Sequence, residues 1–136
     1  MIEEGDVVVL QSGDKSTVEK IDKVVHNEYM GRTPGKKSKT GRNVIERMRN
    51  EGKVRGKGKD IKFKASNGEW YPLKEADMSH RTDAVTWWNK KGRFSGAKSK
   101  RVRNFMLSPY NYELDHYSIN RSSGARLKQK YLSPVN

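Results

Sequence analysis

The sequence predicts a small α+β domain, and three features of the chain support this class. Its 136 residues are enough for one domain. Hydrophobic residues make up only 32% of the chain, so the core must be small. Helical and strand-like hydrophobic patterns follow each other in the order helix, β-hairpin, helix, which is typical of an α+β arrangement.

The first thirty residues contain patterns for one strand and one helix. Residues 7–10, with the sequence VVVL, are β-branched and predict a strand. Ser16 is the expected N-cap of the helix, with Glu19 completing a capping box. The spacing predicts an apolar helix face made of Val18, Ile21, Val24 and Val25. His26 follows this face and is interpreted as a structural or surface histidine.

The middle of the chain predicts a second helix and a β-hairpin. Thr40 is the expected cap of a helix over residues 41–50, with Val44, Ile45 and Met48 inward and Arg42, Arg47 and Arg49 outward. Gly52 can take the left-handed turn that ends it. Residues 61–65 alternate apolar and basic side chains, and residues 70–73 follow after an SNGE turn. This pattern predicts two antiparallel strands.

The last third predicts two more helices and an irregular end. One helix is expected over residues 82–91, capped by Thr82, and another over residues 99–107, ending before Pro109. Residues 110–117 are interpreted as a loop and a short strand. The run beginning at Asn120 is interpreted as a turn that opens a final irregular or helical segment.

Composition and charge exclude several classes of protein. The absence of cysteine excludes disulfides and thiolate zinc sites. No apolar run approaches the roughly 20 residues of a membrane-spanning helix, and the opening MIEEGDVVVL has the wrong charge order for a secretory signal peptide. The 29 Lys and Arg residues against 16 Asp and Glu give a net charge of +13. A polyanion is therefore the expected partner.

Most of the positive charge lies in one block. Residues 31–64 carry thirteen Lys or Arg against three Asp or Glu, interleaved with glycine, whereas residues 1–30 are net acidic. We interpret the block as phosphate-binding loops, the alternative being a linker that is basic for solubility. The candidate contacts to nucleic acid are Arg32, Lys36, Lys37, Lys39, Arg42, Lys57, Lys59, Arg81 and Arg121.

His80 is the first candidate for chemistry. Asp77 precedes it by three residues, a spacing expected to put a carboxylate and an imidazole on the same side of the backbone. Phosphodiester hydrolysis needs a general base of near-neutral pKa and a hard cation with oxygen ligands. In the alternative interpretation, both side chains bond backbone groups at a helix start, and the spacing alone does not decide.

A second group of polar residues lies near the C-terminus. Asn120 offers an amide oxygen to a cation and Arg121 offers a guanidinium to phosphate. Asp115 and His116 are candidate additional ligands or supporting residues. Residues of these types also form ordinary turns. The three tryptophans could stack on bases, although such aromatic residues more often belong to the core.

Four segments together resemble a known family. They are DMSHRTDAVTWWN (77–89), RNFMLSP (103–109), NYEL (111–114) and SINRSSGA (118–125). They resemble the GH-E-type nucleases of the HNH/endonuclease VII (His-Me finger) superfamily, which are C-terminal toxin domains of bacterial polymorphic toxins. The resemblance covers roughly residues 32–134. It divides the chain into an acidic segment, 1–30, packed on or leading into a nuclease domain, 31–136.

The resemblance implies a ββα-metal core, in which a β-hairpin and a helix hold one divalent metal, with flanking helices. His80 would be the general base, with Asp77 and Asn120 as catalytic and metal-binding residues. Mg²⁺ is the first choice, with Zn²⁺, Mn²⁺ or Ni²⁺ as alternatives. Ser79 stands where the family has glycine, and no glutamate follows the NRS run. The remaining metal ligand is therefore open among Glu113, Asp115 and His116.

The family also implies a biological setting. The chain would be the C-terminal part of a larger secreted toxin that is delivered into the cytoplasm of a target bacterium to cut DNA. Its partner would be an acidic immunity protein. Two alternatives remain from the residues themselves: a metal-independent ribonuclease using His80 and His116, and a nucleic-acid-binding protein without enzymatic activity.

Overall fold

The computed structural model describes the backbone of residues 15–126 and 129–135, and the side chains of residues 23–123 and 129–135. The helices and the two small antiparallel sheets confirm the α+β class. The strand predicted at residues 7–10 lies outside the described residues. Among the described helices, none combines the length and the apolar character needed to cross a membrane.

Helix α1 (Lys15–Met30) begins before the predicted cap. Ser16 lies inside the helix, so the prediction that it is the N-cap is wrong. Val24 is 63% exposed, so it does not belong to the buried face either. The helix is anchored at its C-terminal end, where the Met30 side chain is fully buried.

Helix α2 (Lys39–Asn50) agrees with the prediction in its extent except at its start. Ser38 is the N-cap, and its hydroxyl accepts a 3.0 Å hydrogen bond from the backbone N–H of Gly41. The predicted cap Thr40 is buried and donates to the carbonyl of Leu107 instead (2.8 Å). Val44 is fully buried on the predicted inner face. Gly52, with φ of +77°, lies in the left-handed region after the helix, as predicted.

The predicted β-hairpin is present as part of a three-stranded antiparallel sheet. It consists of β2 (Lys62–Lys64) and β3 (Trp70–Pro72), with Lys64 opposite Trp70. Strand β1 (Val54–Arg55) adds to the other side of β2. Because strand side chains alternate between faces, Val54 and Phe63 point into the core while Lys62 and Lys64 stay exposed.

A second antiparallel pair lies outside the hairpin. Strand β4 (Ala76–His80) pairs with β5 (Tyr112–His116) so that His80 is opposite Tyr112. Helix α5 (Tyr117–Arg126) follows β5 directly. The alternative interpretation of Asp77 and His80 as residues at a helix start is wrong, and the run from Asn120 lies within a helix, as one of its two interpretations predicts, but without the predicted turn. The residues before His80 form a strand because their partner strand comes from much later in the chain.

Two helices lie in the connection between β4 and β5. Helix α3 (Ala84–Lys90) starts after Asp83, so Thr82 is not its cap. Helix α4 (Lys100–Leu107) is capped by Ser99, whose hydroxyl accepts from the N–H of Val102 (3.3 Å). The described part of the chain also contains short 3₁₀ turns at Gly58–Asp60, Leu73–Glu75, Gly92–Phe94 and Pro109–Asn111.

The described side chains pack into two hydrophobic clusters. In the first, α2 covers both sheets, and Phe63, Tyr112 and Leu114 are among its buried members. In the second, the end of α1 packs with α3 and α4 around Trp88 and Met106. Each such buried side chain contributes roughly 1.5–3 kcal/mol to stability. Met30 belongs to the second cluster, so the end of the acidic N-terminal segment packs on the rest of the domain.

Candidate active site

A cavity of about 540 Å³ lies where the end of α1, the end of β4, the start of α3, helix α5 and the C-terminal segment meet. It brings together residues that are far apart in the sequence. Its polar lining comes from Lys23, His26, Ser79, His80, Asp83, Asn120, Ser123, Gln129 and Tyr131. His80 and Asn120, two of the sequence-predicted site residues, therefore share one cavity.

His80 is the most unusual titratable group of this cavity. It ends β4, where it packs on Tyr112 with ring centroids 4.7 Å apart. Its Nε2 atom is buried and has no hydrogen-bond partner among the described residues. Burial, with a smaller contribution from His26, lowers the pKa of His80 from 6.5 to about 4. The imidazole is therefore neutral at pH 7, and this cavity-lining residue has a buried ring nitrogen without a partner among the described residues.

His26 is a second histidine of the same cavity. Its ring lies edge-on to that of His80, with the centroids 6.2 Å apart. Its Nδ1 atom is hydrogen-bonded to the Tyr131 hydroxyl (2.6 Å), and its Nε2 atom is 3.5 Å from the Thr33 hydroxyl. Burial lowers the pKa of His26 as well. The residue interpreted from the sequence as a structural or surface histidine is therefore also a neighbour of His80 in the cavity.

Asp77 lies on β4 but does not face the same way as His80. Residues three apart in a strand point to opposite faces, so the prediction that the two lie on the same side is wrong. The Asp77 carboxylate accepts from Asn120 Nδ2 (3.1 Å) and from two nitrogens of Arg121 (3.1 and 3.2 Å). Asp77 therefore reaches the cavity only through Asn120.

Asp115 and His116 have other partners. The Asp115 carboxylate accepts from the backbone N–H and the hydroxyl of Ser66 (3.0 and 2.7 Å). The His116 ring is bonded through Nε2 to Glu75 (2.9 Å) and through Nδ1 to Ser118 (2.8 Å). Neither residue lines the cavity of His80. The structure therefore does not bring these two predicted ligands together with Asn120.

Glu113, the other candidate for the remaining ligand, belongs to an ion-pair network. It pairs with Arg47 and, at 3.0 Å, with the Lys53 ammonium. Arg47 also donates to the carbonyls of Pro109 and Tyr112. Its side chain is only 14% exposed, so the prediction that Arg47 points outward is wrong. Arg47 thus links helix α2 to strand β5.

The structure retains only part of the set of residues predicted to bind the divalent cation. Asp77 and Asn120 are in contact and offer a carboxylate and an amide oxygen, the hard donors that Mg²⁺ binds, often together with water and substrate phosphate. Asp115 and His116 are bonded elsewhere. Within the described part of the chain, no group of three or more His, Asp or Glu side chains could hold a metal ion. Asp77 and Asn120 are therefore the residues that remain as candidate ligands.

The predicted nucleic-acid contacts fall into two groups. Five of them are exposed and have no hydrogen bond or ion pair with another described side chain: Arg32, Lys37, Lys39, Lys57 and Lys59. The other four are engaged. Lys36 donates to the Leu73 carbonyl (2.9 Å), and burial lowers its pKa. Arg42 donates to the Lys37 carbonyl, Arg81 lies near Glu113, and Arg121 pairs with Asp77.

The tryptophans are buried or have one face of the ring occupied by a neighbouring side chain. Trp88 is fully buried, and its indole N–H donates to the Leu132 carbonyl (2.7 Å). Trp87 stacks on Phe105 with ring centroids 4.0 Å apart. Trp70 is covered by the guanidinium of Arg55, 3.9 Å from its ring centroid. Base stacking by these side chains is therefore not supported.

Sequence reasoning missed two acid–base groups of the cavity. His26 lies in α1, and no local pattern links it to His80 on β4. Asp83 precedes α3 but makes no side-chain capping bond, and it lines the cavity. Only its position directly before a helix could have drawn attention to it, and that position predicts a cap rather than a cavity residue.

Comparisons with known proteins add nothing to this geometry. No protein-family model, curated protein or solved structure matches the chain.

Proposed function

We propose that this chain is a metal-dependent endonuclease that hydrolyses phosphodiester bonds of DNA, with His80 as the general base. The observation that carries the proposal is that His80 lines a cavity while its buried Nε2 atom has no partner among the described residues. An unpaired buried nitrogen lowers stability, so its retention favours a functional role. Strand β4 pairs with β5 and α5 follows β5 directly, but α3 and α4 separate the two strands, so this order matches the implied hairpin-and-helix core only in part.

His80 would take the proton of the attacking water. The lowered pKa keeps its imidazole neutral at pH 7, so that one ring nitrogen has a free lone pair, although at a pKa of about 4 the ring is a weaker base than an ordinary histidine. Asn120 lines the same cavity and contacts Asp77, and these two residues would hold the divalent cation. Such a cation, when bound, stabilises the negative charge that develops on the phosphate. Arg121 holds the Asp77 carboxylate in place.

The proposal extends to the biological role. The chain would act as the toxin domain of a larger secreted protein in the cytoplasm of a target bacterium. A net charge of +13 supports an acidic immunity protein as partner, because opposite charges speed association.

The test is a supercoiled-plasmid nicking assay with wild type, His80→Ala and Asn120→Ala, in Mg²⁺ and in EDTA. We expect nicking in Mg²⁺ only, and a loss of about 10²–10⁴-fold in His80→Ala. Nicking by His80→Ala at the wild-type rate would refute the general base. Nicking by the wild type in EDTA would refute the metal requirement.

A second candidate function is a metal-independent ribonuclease. The observation that favours it is the proximity of His26 and His80, since such cleavage needs one group to deprotonate the 2′-hydroxyl and another to protonate the leaving oxygen. The pairing of His80 with His116 that the sequence predicts has no such support, because His116 does not line the cavity of His80.

The two candidates differ in substrate, cofactor and the role of His26. The ribonuclease would cut RNA in EDTA, leave DNA intact and lose activity in His26→Ala as well as in His80→Ala. Binding to both nucleic acids without cutting either, across Mg²⁺, Mn²⁺, Ni²⁺ and Zn²⁺, would refute both enzymes and favour a non-enzymatic binding protein.

A further inference from the structure

The outer face of the three-stranded sheet carries cations that the candidate active site does not use. Arg55 and Lys62 are cross-strand partners, and Lys64 is the partner of Trp70. All three cationic side chains are exposed. We call this surface the basic sheet face and define it by Arg55, Lys62, Lys64 and Trp70.

The charges of the basic sheet face are of one sign. Strands β1, β2 and β3 contain no Asp or Glu, so no carboxylate on the strands themselves offsets the three cations. The exposed loop after β1 adds Lys57 and Lys59 next to Arg55, with Asp60 as its one acidic residue. Lys62 and Lys64 are two residues apart on one face, which separates their backbones by about 6.6 Å. A row of cations on a strand that is paired on both sides suits an extended polyanion.

Trp70 restricts the position of Arg55 on the basic sheet face. The Arg55 guanidinium lies over the indole ring, 3.9 Å from its centroid. A cation–π contact of this kind restricts a long side chain while leaving its N–H groups free for phosphate oxygens. Because Arg55 covers the indole, this face offers phosphate contacts rather than a platform for unstacked bases. Backbone contacts without base stacking fit a duplex better than a single strand.

We propose that the basic sheet face binds the phosphate backbone of double-stranded DNA, with Trp70 as the residue that positions Arg55. The choice of DNA as the polyanion rests on the proposed function. The binding surface itself does not depend on catalysis, because none of its residues lines the cavity of His80.

The test measures binding of a fluorescent DNA duplex by anisotropy, in EDTA, over a series of salt concentrations. The first variant is Arg55→Gln/Lys62→Gln/Lys64→Gln, which keeps side-chain length. The control is Lys90→Gln/Lys100→Gln/Arg101→Gln, from exposed positions of α3 and α4. Both variants lower the net charge from +13 to +10, so a difference between them reports position rather than total charge.

We expect the sheet variant to bind at least about tenfold more weakly at 0.15 M salt, with a salt slope smaller by about 0.9 for each phosphate that the variant no longer neutralises. The control should bind within about twofold of the wild type at the same salt. Equal weakening in both variants, or wild-type binding by the sheet variant, would overturn the proposal. Circular dichroism of each variant establishes that the sheet is intact.

Trp70 supplies a second, independent measurement. Trp70→Ala should weaken duplex binding, and Trp70→Phe should restore most of it, because phenylalanine keeps a ring under Arg55. A preference for single-stranded DNA of the same length that depends on Trp70 would contradict the duplex assignment. If the sheet variant loses binding while the wild type cuts no DNA, the surface stands and the proposed function fails.

Discussion

Two histidines end the two strands of the same antiparallel pair, and their surroundings differ in one decisive respect. His80 ends β4, and its Nε2 atom is buried without a partner in the described part of the chain. His116 ends β5 and is also largely buried, with 12% of its side chain exposed, but both of its ring nitrogens are hydrogen-bonded. Burial is therefore similar, whereas the remaining bonding capacity is not.

Because of this difference, we expect His80 to be available for chemistry and His116 to stabilise the fold. His116 is bonded to Glu75 and Ser118 and packs on Tyr71, with ring centroids 4.3 Å apart. A ring engaged in this way has no lone pair to offer to a substrate. His80 faces a cavity instead, next to a second histidine. Its free nitrogen makes it the stronger candidate for a general base.

The largest expected effect concerns cleavage. His80→Ala should lower the initial rate of nuclease activity by about 10²–10⁴-fold, the contribution of one general base, whereas His116→Ala should lower it by less than about tenfold. The measurement is the initial rate on the substrate that the wild type cuts, under conditions in which both variants are folded. Equal losses in the two variants would remove the distinction between the histidines.

The next effect is a pH dependence of stability that His80 contributes. Its pKa is about 4 when folded and near 6.5 when unfolded, so between these values the unfolded chain binds more protons. The stabilisation is complete above pH 6.5 and declines as the pH falls toward 4. The expected loss is about 3 kcal/mol, since tenfold in proton affinity corresponds to about 1.4 kcal/mol.

Urea denaturation at pH 7 and pH 4.5 measures this contribution. The control is His80→Leu, in which the buried group cannot take up a proton. Its free energy of unfolding should fall less between the two pH values than that of the wild type. The same fall in both proteins would show that His80 does not carry the effect.

The smallest effect concerns the bonded histidine. His116→Ala should lower the free energy of unfolding by about 2 kcal/mol, because it leaves the Glu75 carboxylate without its partner and removes the ring contact to Tyr71. Ser118→Ala, which removes only an exposed hydrogen bond, should cost less than about 1 kcal/mol. Urea unfolding at pH 7 checks both variants, and a His116→Ala protein as stable as the wild type would contradict the structural role.

Local patterns predicted the elements that depend on near neighbours. The alternation of residues 61–65 and the SNGE turn predicted the β2–β3 hairpin, because both strands and their connection lie within a few residues. Val44 and Met48 are buried on α2 as their spacing predicts. The caps were predicted less well, since Thr40 and Ser38 both suit a cap and only the contact of Thr40 with Leu107 distinguishes them.

The candidate site was only partly predictable for the same reason. His80 and Asn120 were candidates from their residue types and received their roles from a resemblance, and both line the cavity. Asp77 was assigned the right neighbour in Asn120 but the wrong face relative to His80, because no local pattern indicates that residues 76–80 form a strand. The proximity of His26 to His80 could not be predicted, since it depends on how the end of α1 packs against the rest of the chain.

The α+β class, the hairpin, most helical segments and the basic charge could all be read from the sequence, because they follow from composition and from contacts between near neighbours. Which polar residues share a cavity, and which bond each other, depends instead on the tertiary structure. Pairing of β4 with β5 joins segments separated by two helices, and this pairing orients His80, Asp77 and His116. Whether a histidine keeps a ring nitrogen unpartnered or has both nitrogens hydrogen-bonded depends on which residues, distant in the sequence, pack beside it.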